Sequence, residues 1–184
     1  MKNKILFINA CARPASRTEE LSRYLLNELV GEITEVDLYN EQLEPLCNEG
    51  LERRAVNHIP DRESELANQF AQSDIIVIGA PFWDLSFPSV LKIYFENITI
   101  SGITFEYSKG HPISKCKAKK LYYITTSGGY IGENNFGFDY VKALAENFFG
   151  ISDIHFYSAE GLDIEGTNVK EIMDEAKKRI TDLS

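Results

Sequence analysis

Three short stretches of this 184-residue chain combine residue types suited to holding a small ligand. The first is Ala10-Cys11-Ala12-Arg13-Pro14-Ala15-Ser16-Arg17-Thr18, set between an apolar run and a helical pattern. A helix N-terminus presents free N–H groups and the positive end of the helix dipole, which suits a phosphate. Ser16 and Thr18 add hydroxyls, and Arg13 and Arg17 add positive charge. The structural alternative is a capping box with Ser16 as N-cap and Glu19 three residues on, and the two roles are compatible. Neither a Walker lysine nor a G-x-G-x-x-G stretch is present, which argues against an NTPase and against a dinucleotide fingerprint.

The second stretch, Ala80-Pro81-Phe82-Trp83-Asp84-Leu85-Ser86-Phe87-Pro88, carries the chain's one tryptophan and two phenylalanines. Flat side chains at the end of a strand line a planar ligand by stacking, or else fill the core. The third, Thr125-Thr126-Ser127-Gly128-Gly129-Tyr130, pairs two glycines, which let backbone N–H groups approach a ligand closely or form an ordinary turn. Each signal is weak alone. Together they describe a pocket for a planar ring with a phosphate tail.

The elements that must position these loops are legible as alternating strand-like and helix-like segments. Ile5–Ile8, Thr34–Leu38, Ile75–Ile78, Leu121–Thr125 and Ile154–Tyr157 read as strands, the apolar ones as buried on both faces. Helical patterns start at Ser16 and run over Asp61–Ser73, Pro88–Ile100, Phe138–Phe149 and Asn168–Leu183. Tyr39–Pro60 reads as a long loop with one helical turn, and Ser101–Lys120 as a loop or irregular hairpin. Strands alternating with helices imply a parallel sheet covered on both faces. Ligands of such sheets bind beyond the carboxyl ends of the strands, where all three loops fall. With no repeat or linker, residues 1–184 are expected to form a single domain.

Composition narrows the function. The net charge of −9 argues against general nucleic-acid or anionic-membrane binding, and no apolar run is long enough to span a bilayer. Cys11, Cys47 and Cys116 have no C-x-x-C spacing, which favours reduced thiols in the cytoplasm over disulfides, zinc or an iron–sulfur cluster. No metal is expected, since His58, His111 and His155 are scattered. Cys11 reads as a small buried residue at a strand end, and the sequon at Asn97 as a chance match.

The chain resembles the FMN-dependent NADH-azoreductase and NAD(P)H quinone reductase family. The likeness rests on Ser16-Arg17-Thr18, Pro81-Phe82-Trp83-Asp84-Leu85 with Pro88 and Leu91-Lys92, Gly102-Ile103-Thr104-Phe105-Glu106-Tyr107, and Thr126-Ser127-Gly128-Gly129-Tyr130. It continues through Gly150-Ile151-Ser152-Asp153 and Ala159-Glu160-Gly161, in order over nearly the whole chain. The resemblance implies a flavodoxin-like three-layer α/β sandwich, a five-stranded parallel sheet of order 2-1-3-4-5, and a homodimer with two active sites at its interface. It assigns the FMN phosphate to Ser16, Arg17 and Thr18, with Ala10 beside it where many members carry serine. It places Pro81, Phe82, Trp83, Asp84 and Leu85 along the isoalloxazine, and Thr126, Ser127, Gly128, Gly129 and Tyr130 along its other edge and the ribityl chain. Tyr107 and Phe148 are the expected substrate contacts. Asp84 stands where asparagine is frequent and Ser127 where arginine is common.

The activity so implied is reduction of quinones, azo compounds or similar flat acceptors by NADH or NADPH; if the Phe82–Leu85 loop covers one flavin face, donor and acceptor share the other and ping-pong order is expected. The flavin carries the hydride, so no protein group need act as acid or base. A flavodoxin-type electron carrier and a flavin-free binding module are the competing readings. Turnover of NADH or NADPH without a partner protein separates the first from the enzyme, and colour on purification separates the second.

Overall fold

In the computed structural model, which describes residues 2–56 and 58–182, the apolar runs become the inner strands of one parallel sheet. Strands β1 (Asn3–Asn9), β2 (Gly31–Asp37) and β3 (Ile75–Gly79) are joined by β6 (Lys120–Thr126) and β7 (Asp153–Ala159) in the order β2-β1-β3-β6-β7. This is the 2-1-3-4-5 order of a flavodoxin-like fold. Every pair is parallel, with Ile5 opposite Ile33 and Ile75, and Leu121 opposite Ile76 and Ile154.

The period of two along each strand sorts the core into two layers. Ile5, Phe7, Val77 and Ile124 face Leu21 and Leu25 of α1 (Arg17–Glu28) and Met173 and Ile180 of α6 (Val169–Thr181). Leu6, Ile8, Ile76, Ile78 and Tyr123 face α3 (Asp61–Gln72), α4 (Ser89–Ile98) and α5 (Phe136–Leu144). Each fully buried Ile, Leu or Phe contributes about 1.5–3 kcal/mol of transfer free energy, so both layers are needed to close the sheet.

Several boundaries differ from the sequence expectation. Strand β2 begins at Gly31 rather than Thr34, because an edge strand is held by its ladder with β1 and Ile33 lies exposed. The expected loop Tyr39–Pro60 contains helix α2 (Asn48–Ala55), which buries no side chain and so leaves no apolar period to read. The segment Ser101–Lys120 contains a regular hairpin, β4 (Phe105–Ser108) with β5 (His111–Ser114), turning through Lys109 and Gly110 at φ 51° and 82°. Pro88 caps α4 from outside instead of occupying its first turn. Helix α5 starts at Phe136, where Asn135 accepts from the Phe138 N–H, and its last turn widens into a π turn over Ala145–Phe149. Gly150, at φ 64°, ends it. The expected end of the closing helix, Leu183, lies outside the described residues.

The half-buried guanidinium of Arg54 joins α2 to α4. It donates to the carbonyls of Glu96 and Asn97 at 3.0 Å each and pairs with Glu63 at 2.9 Å. Those carbonyls belong to the last turn of α4, where no intrahelical donor exists. Asn97 Nδ2 donates to the carbonyls of Glu44 and Ile93, so the sequon asparagine is buried and engaged.

Candidate ligand site

The carboxyl ends of β1, β3 and β6 bring the three loops together. The first leaves β1 at Ala10, whose N–H donates to the Gly79 carbonyl, and Cys11 N–H is held by Asn9 Oδ1 at 3.0 Å. Ser16 is the N-cap of α1, accepting from the Glu19 N–H at 3.4 Å, so the capping role is present. The Glu19 carboxylate turns along the helix to Arg23 at 2.8 Å, away from the return bond of a full capping box. Helix geometry leaves the N–H groups of Arg17 and Thr18 without intrahelical acceptors. Thr18 is buried, and its hydroxyl meets that of Thr126 at 2.6 Å.

The second loop leaves β3 and is anchored where Phe82 N–H donates to the Thr126 carbonyl at 3.0 Å. Trp83 and Ser86 exchange both backbone hydrogen bonds, at 2.9 and 2.8 Å, around a two-residue turn. Asp84 and Leu85 occupy that turn at φ 50° and 64°, a region that costs a non-glycine residue about 1–2 kcal/mol. The Leu85 carbonyl is fixed by the Phe136 N–H at 3.0 Å. The turn leaves Trp83 and Leu85 41% and 48% exposed, whereas Phe87 packs edge-on to Phe95 and Tyr140. The loop therefore has one aromatic rooted in the core and one presented outward.

The third loop leaves β6. Ser127 N–H donates to the Ala159 carbonyl, and Ser127 Oγ donates to the Gly129 carbonyl at 2.6 Å. Tyr130 is 76% exposed, and a Cβ on Gly129 would meet nothing within 4 Å, so this rim is open. Among the described residues the buried Thr125 hydroxyl at the base of the loop has no hydrogen-bond partner.

A fourth segment, which the sequence reading missed, leaves β7 and closes over the others. Gly161, Leu162 and Asp163 donate their N–H groups to the carbonyls of Gly129, Ser127 and Gly128 at 2.9–3.1 Å. Arg17 Nη1 reaches back to Asp163 Oδ1 at 2.8 Å and the Leu162 carbonyl at 3.4 Å. The readable signal was an acidic residue two positions beyond Gly161 at a fourth strand's carboxyl end.

The structure thus brings Ala10, Ser16–Thr18, Pro81–Leu85 and Thr126–Tyr130 together at the carboxyl end of the sheet. Tyr107 and Phe148 lie elsewhere in the chain, both packed edge-on against Phe105 at 5.2 Å. Among the described residues no ring contact or hydrogen bond joins either of them to the three loops. Phe148 also lines an apolar pocket of about 500 Å³ between α4 and α5, with Phe95, Tyr140 and Leu144. Cys11 is buried, and burial pushes its thiol up to about 11, as befits an inert core residue.

These residues fit the implied FMN. Free helix N–H groups and hydroxyls suit a phosphate, the open rim at Gly129 and Tyr130 admits a chain beside it, and an outward tryptophan offers a flat face. No helix among the described residues is long and apolar enough to cross a membrane.

The family described as flavodoxin-like fold matches residues 3–183. An FMN-dependent NADH:quinone oxidoreductase of Clostridium beijerinckii is 37% identical, over 95% of this chain and 94% of that one. A second, from Clostridium acetobutylicum, is 35% identical, over 93% and 92%. The crystal structure of an FMN-dependent NADH-azoreductase from Bacillus anthracis in complex with FMN superposes with a TM-score of 0.84 at 25% identity, over 98% of this chain and 97% of that one.

Proposed function

The chain belongs to the flavodoxin-like fold family matched by residues 3–183, and from that membership we propose that it is an FMN-dependent NAD(P)H oxidoreductase of quinones, azo compounds or similar flat acceptors. The observation that carries the reading is the convergence of the three loops at the carboxyl end of the sheet, cross-linked by the Thr18–Thr126 hydroxyl pair. Relatives named for FMN, NADH and quinone, 37% and 35% identical over nearly their full lengths, support it. FMN supplies the hydride chemistry when bound. The chain's own residues orient it: the first turn of α1 holds the phosphate, the Phe82–Leu85 turn covers one ring face, and Thr126–Tyr130 border the other edge.

With one face covered by that turn, donor and acceptor share the remaining face and enter in turn. Steady-state assays with NADH or NADPH and a soluble quinone should give parallel double-reciprocal lines. Intersecting lines would contradict the shared slot. Failure of either nucleotide to bleach the flavin anaerobically would favour an electron carrier.

The working unit is a homodimer of single-domain chains in the cytoplasm. Tyr107 and Phe148 sit apart from their own chain's three loops, so a substrate role brings them to the loops of a second copy. The apolar pocket between α4 and α5, bordered by Phe148, is the face that second copy covers. A monomer mass by light scattering at micromolar concentration would rule this out.

A further inference from the structure

Arg17 is the cation nearest the proposed phosphate position in sequence, yet its guanidinium already has an anion. Asp163 Oδ1 sits 2.8 Å from Arg17 Nη1, and the Leu162 carbonyl takes a longer bond at 3.4 Å. The carboxylate is held in place. Its backbone N–H donates to Gly128, its neighbour Leu162 donates to Ser127, and Gly161 donates to Gly129. Its side chain lies so close over Gly128 that a Cβ there would come within 2.5 Å of Asp163 Oδ2. One carboxylate therefore rests on the Gly-Gly loop and grips the arginine of the α1 N-terminus.

We propose that Asp163 acts as a built-in competing anion that sets the affinity of the site for phosphorylated flavin. This rests on the reading that the first turn of α1 takes the FMN phosphate. A phosphate monoester carries close to two negative charges at neutral pH. To engage Arg17 it displaces or shares the carboxylate, and the carboxylate stays beside it as a like charge. The Arg17–Asp163 pair is exposed on both sides, 39% and 70%, so it is weak enough to be exchanged. The other charged groups facing Arg17 are Glu20, Lys170, Asp174 and Lys177, which share with it a notch between α1 and α6. Lys177 is committed to Glu20 at 2.6 Å. The notch is nearly balanced in charge, which leaves Asp163 as the anion in direct contact with the arginine. The consequence is selectivity by phosphate: the brake acts on FMN and leaves the unphosphorylated ring untouched.

The test loads the full-length protein with FMN or with riboflavin and follows flavin fluorescence released on dilution. Asp163→Asn keeps the size of the side chain and removes its charge. It should tighten FMN about three- to tenfold, leave riboflavin within about twofold, and lose the FMN gain at ~1 M salt. Arg17→Met should weaken FMN, and in that background Asp163→Asn should tighten it by less than in the parent. Unchanged or weaker FMN binding in Asp163→Asn overturns the proposal, as does an equal change for FMN and riboflavin, which would mark a structural effect. If Arg17→Met weakens FMN while Asp163→Asn does nothing, only the role of Asp163 falls. If Arg17→Met leaves FMN affinity unchanged, the phosphate placement itself falls.

Discussion

Thr18 Oγ1 and Thr126 Oγ1 lie 2.6 Å apart, buried, across 108 residues of chain. One hydroxyl donates to the other, and together they fasten the first turn of α1 to the carboxyl end of β6. Removing one partner strands the other. Thr18→Val is expected to cost about 1–3 kcal/mol in urea unfolding. Thr18→Val with Thr126→Val together should cost clearly less than the sum of the single changes. Additive losses would show that the hydroxyls do not satisfy each other.

Leu85 holds a positive φ of 64° in the turn after β3. Leu85→Gly should raise the melting temperature or leave it unchanged, because relief of about 1–2 kcal/mol of backbone strain offsets the greater freedom of glycine when unfolded. The same change removes a half-exposed apolar side chain beside the proposed ring, so FMN release should quicken. A fall in melting temperature with unchanged FMN retention would mean that Leu85 serves packing and not the ligand.

Arg54 satisfies two carbonyls of the α4 terminus and the Glu63 carboxylate at once. Arg54→Met keeps the apolar stem and is expected to cost about 3–5 kcal/mol, the range for leaving a half-buried charge and its acceptors unpaired. Calorimetry of the variant measures this. A loss below about 1 kcal/mol would place the pair among ordinary surface contacts.

The Tyr94 hydroxyl is fully buried without a hydrogen-bond partner among the described residues, and burial pushes its ionisation far upward. Tyr94→Phe removes that uncompensated group and should stabilise the protein by about 1 kcal/mol or be neutral. Destabilisation by more than about 1 kcal/mol would reveal a partner for the hydroxyl.

Alkaline pH should weaken the fold through the buried thiols. Burial raises Cys11 and Cys116 from 9.0 to about 11. The folded state therefore favours the protonated thiols more than the unfolded chain does. Their contribution is fully present below about pH 9 and is lost as pH rises toward about 11. A thiol reagent near pH 8 should modify Cys47 readily and reach Cys11 and Cys116 only on unfolding, since Cys47 alone is exposed. Rapid reaction of all three in native protein would contradict that burial.

The inner strands were readable because burial on both faces forces continuous apolar runs such as Ile75-Ile76-Val77-Ile78. The three loops were readable because strand-end position, glycine pairs and hydroxyls each carry a local reason. Helix α2 was not, since it buries nothing and is held by one arginine reaching across to α4. The role of Asp163 was not, because its meaning depends on a contact 146 residues away. The turn at Asp84 and Leu85 runs against local preference, so no propensity argument could find it; tertiary anchors at Thr126 and Phe136 impose it.

The order of the sheet has a consequence for synthesis. β1 leaves the ribosome before both of its neighbours in the sheet, β2 and β3, so its second edge stays open until Ile75 and its neighbours have emerged. The first turn of α1 is synthesised early, but its partners at Thr126 and Asp163 arrive more than 100 residues later. Such distant contacts slow folding, because loop closure must precede any gain from them. A nascent chain halted before Asp163 would therefore own the first turn of α1 without the walls that fasten it, and completion of the loop cluster belongs to the last stage of the chain's maturation.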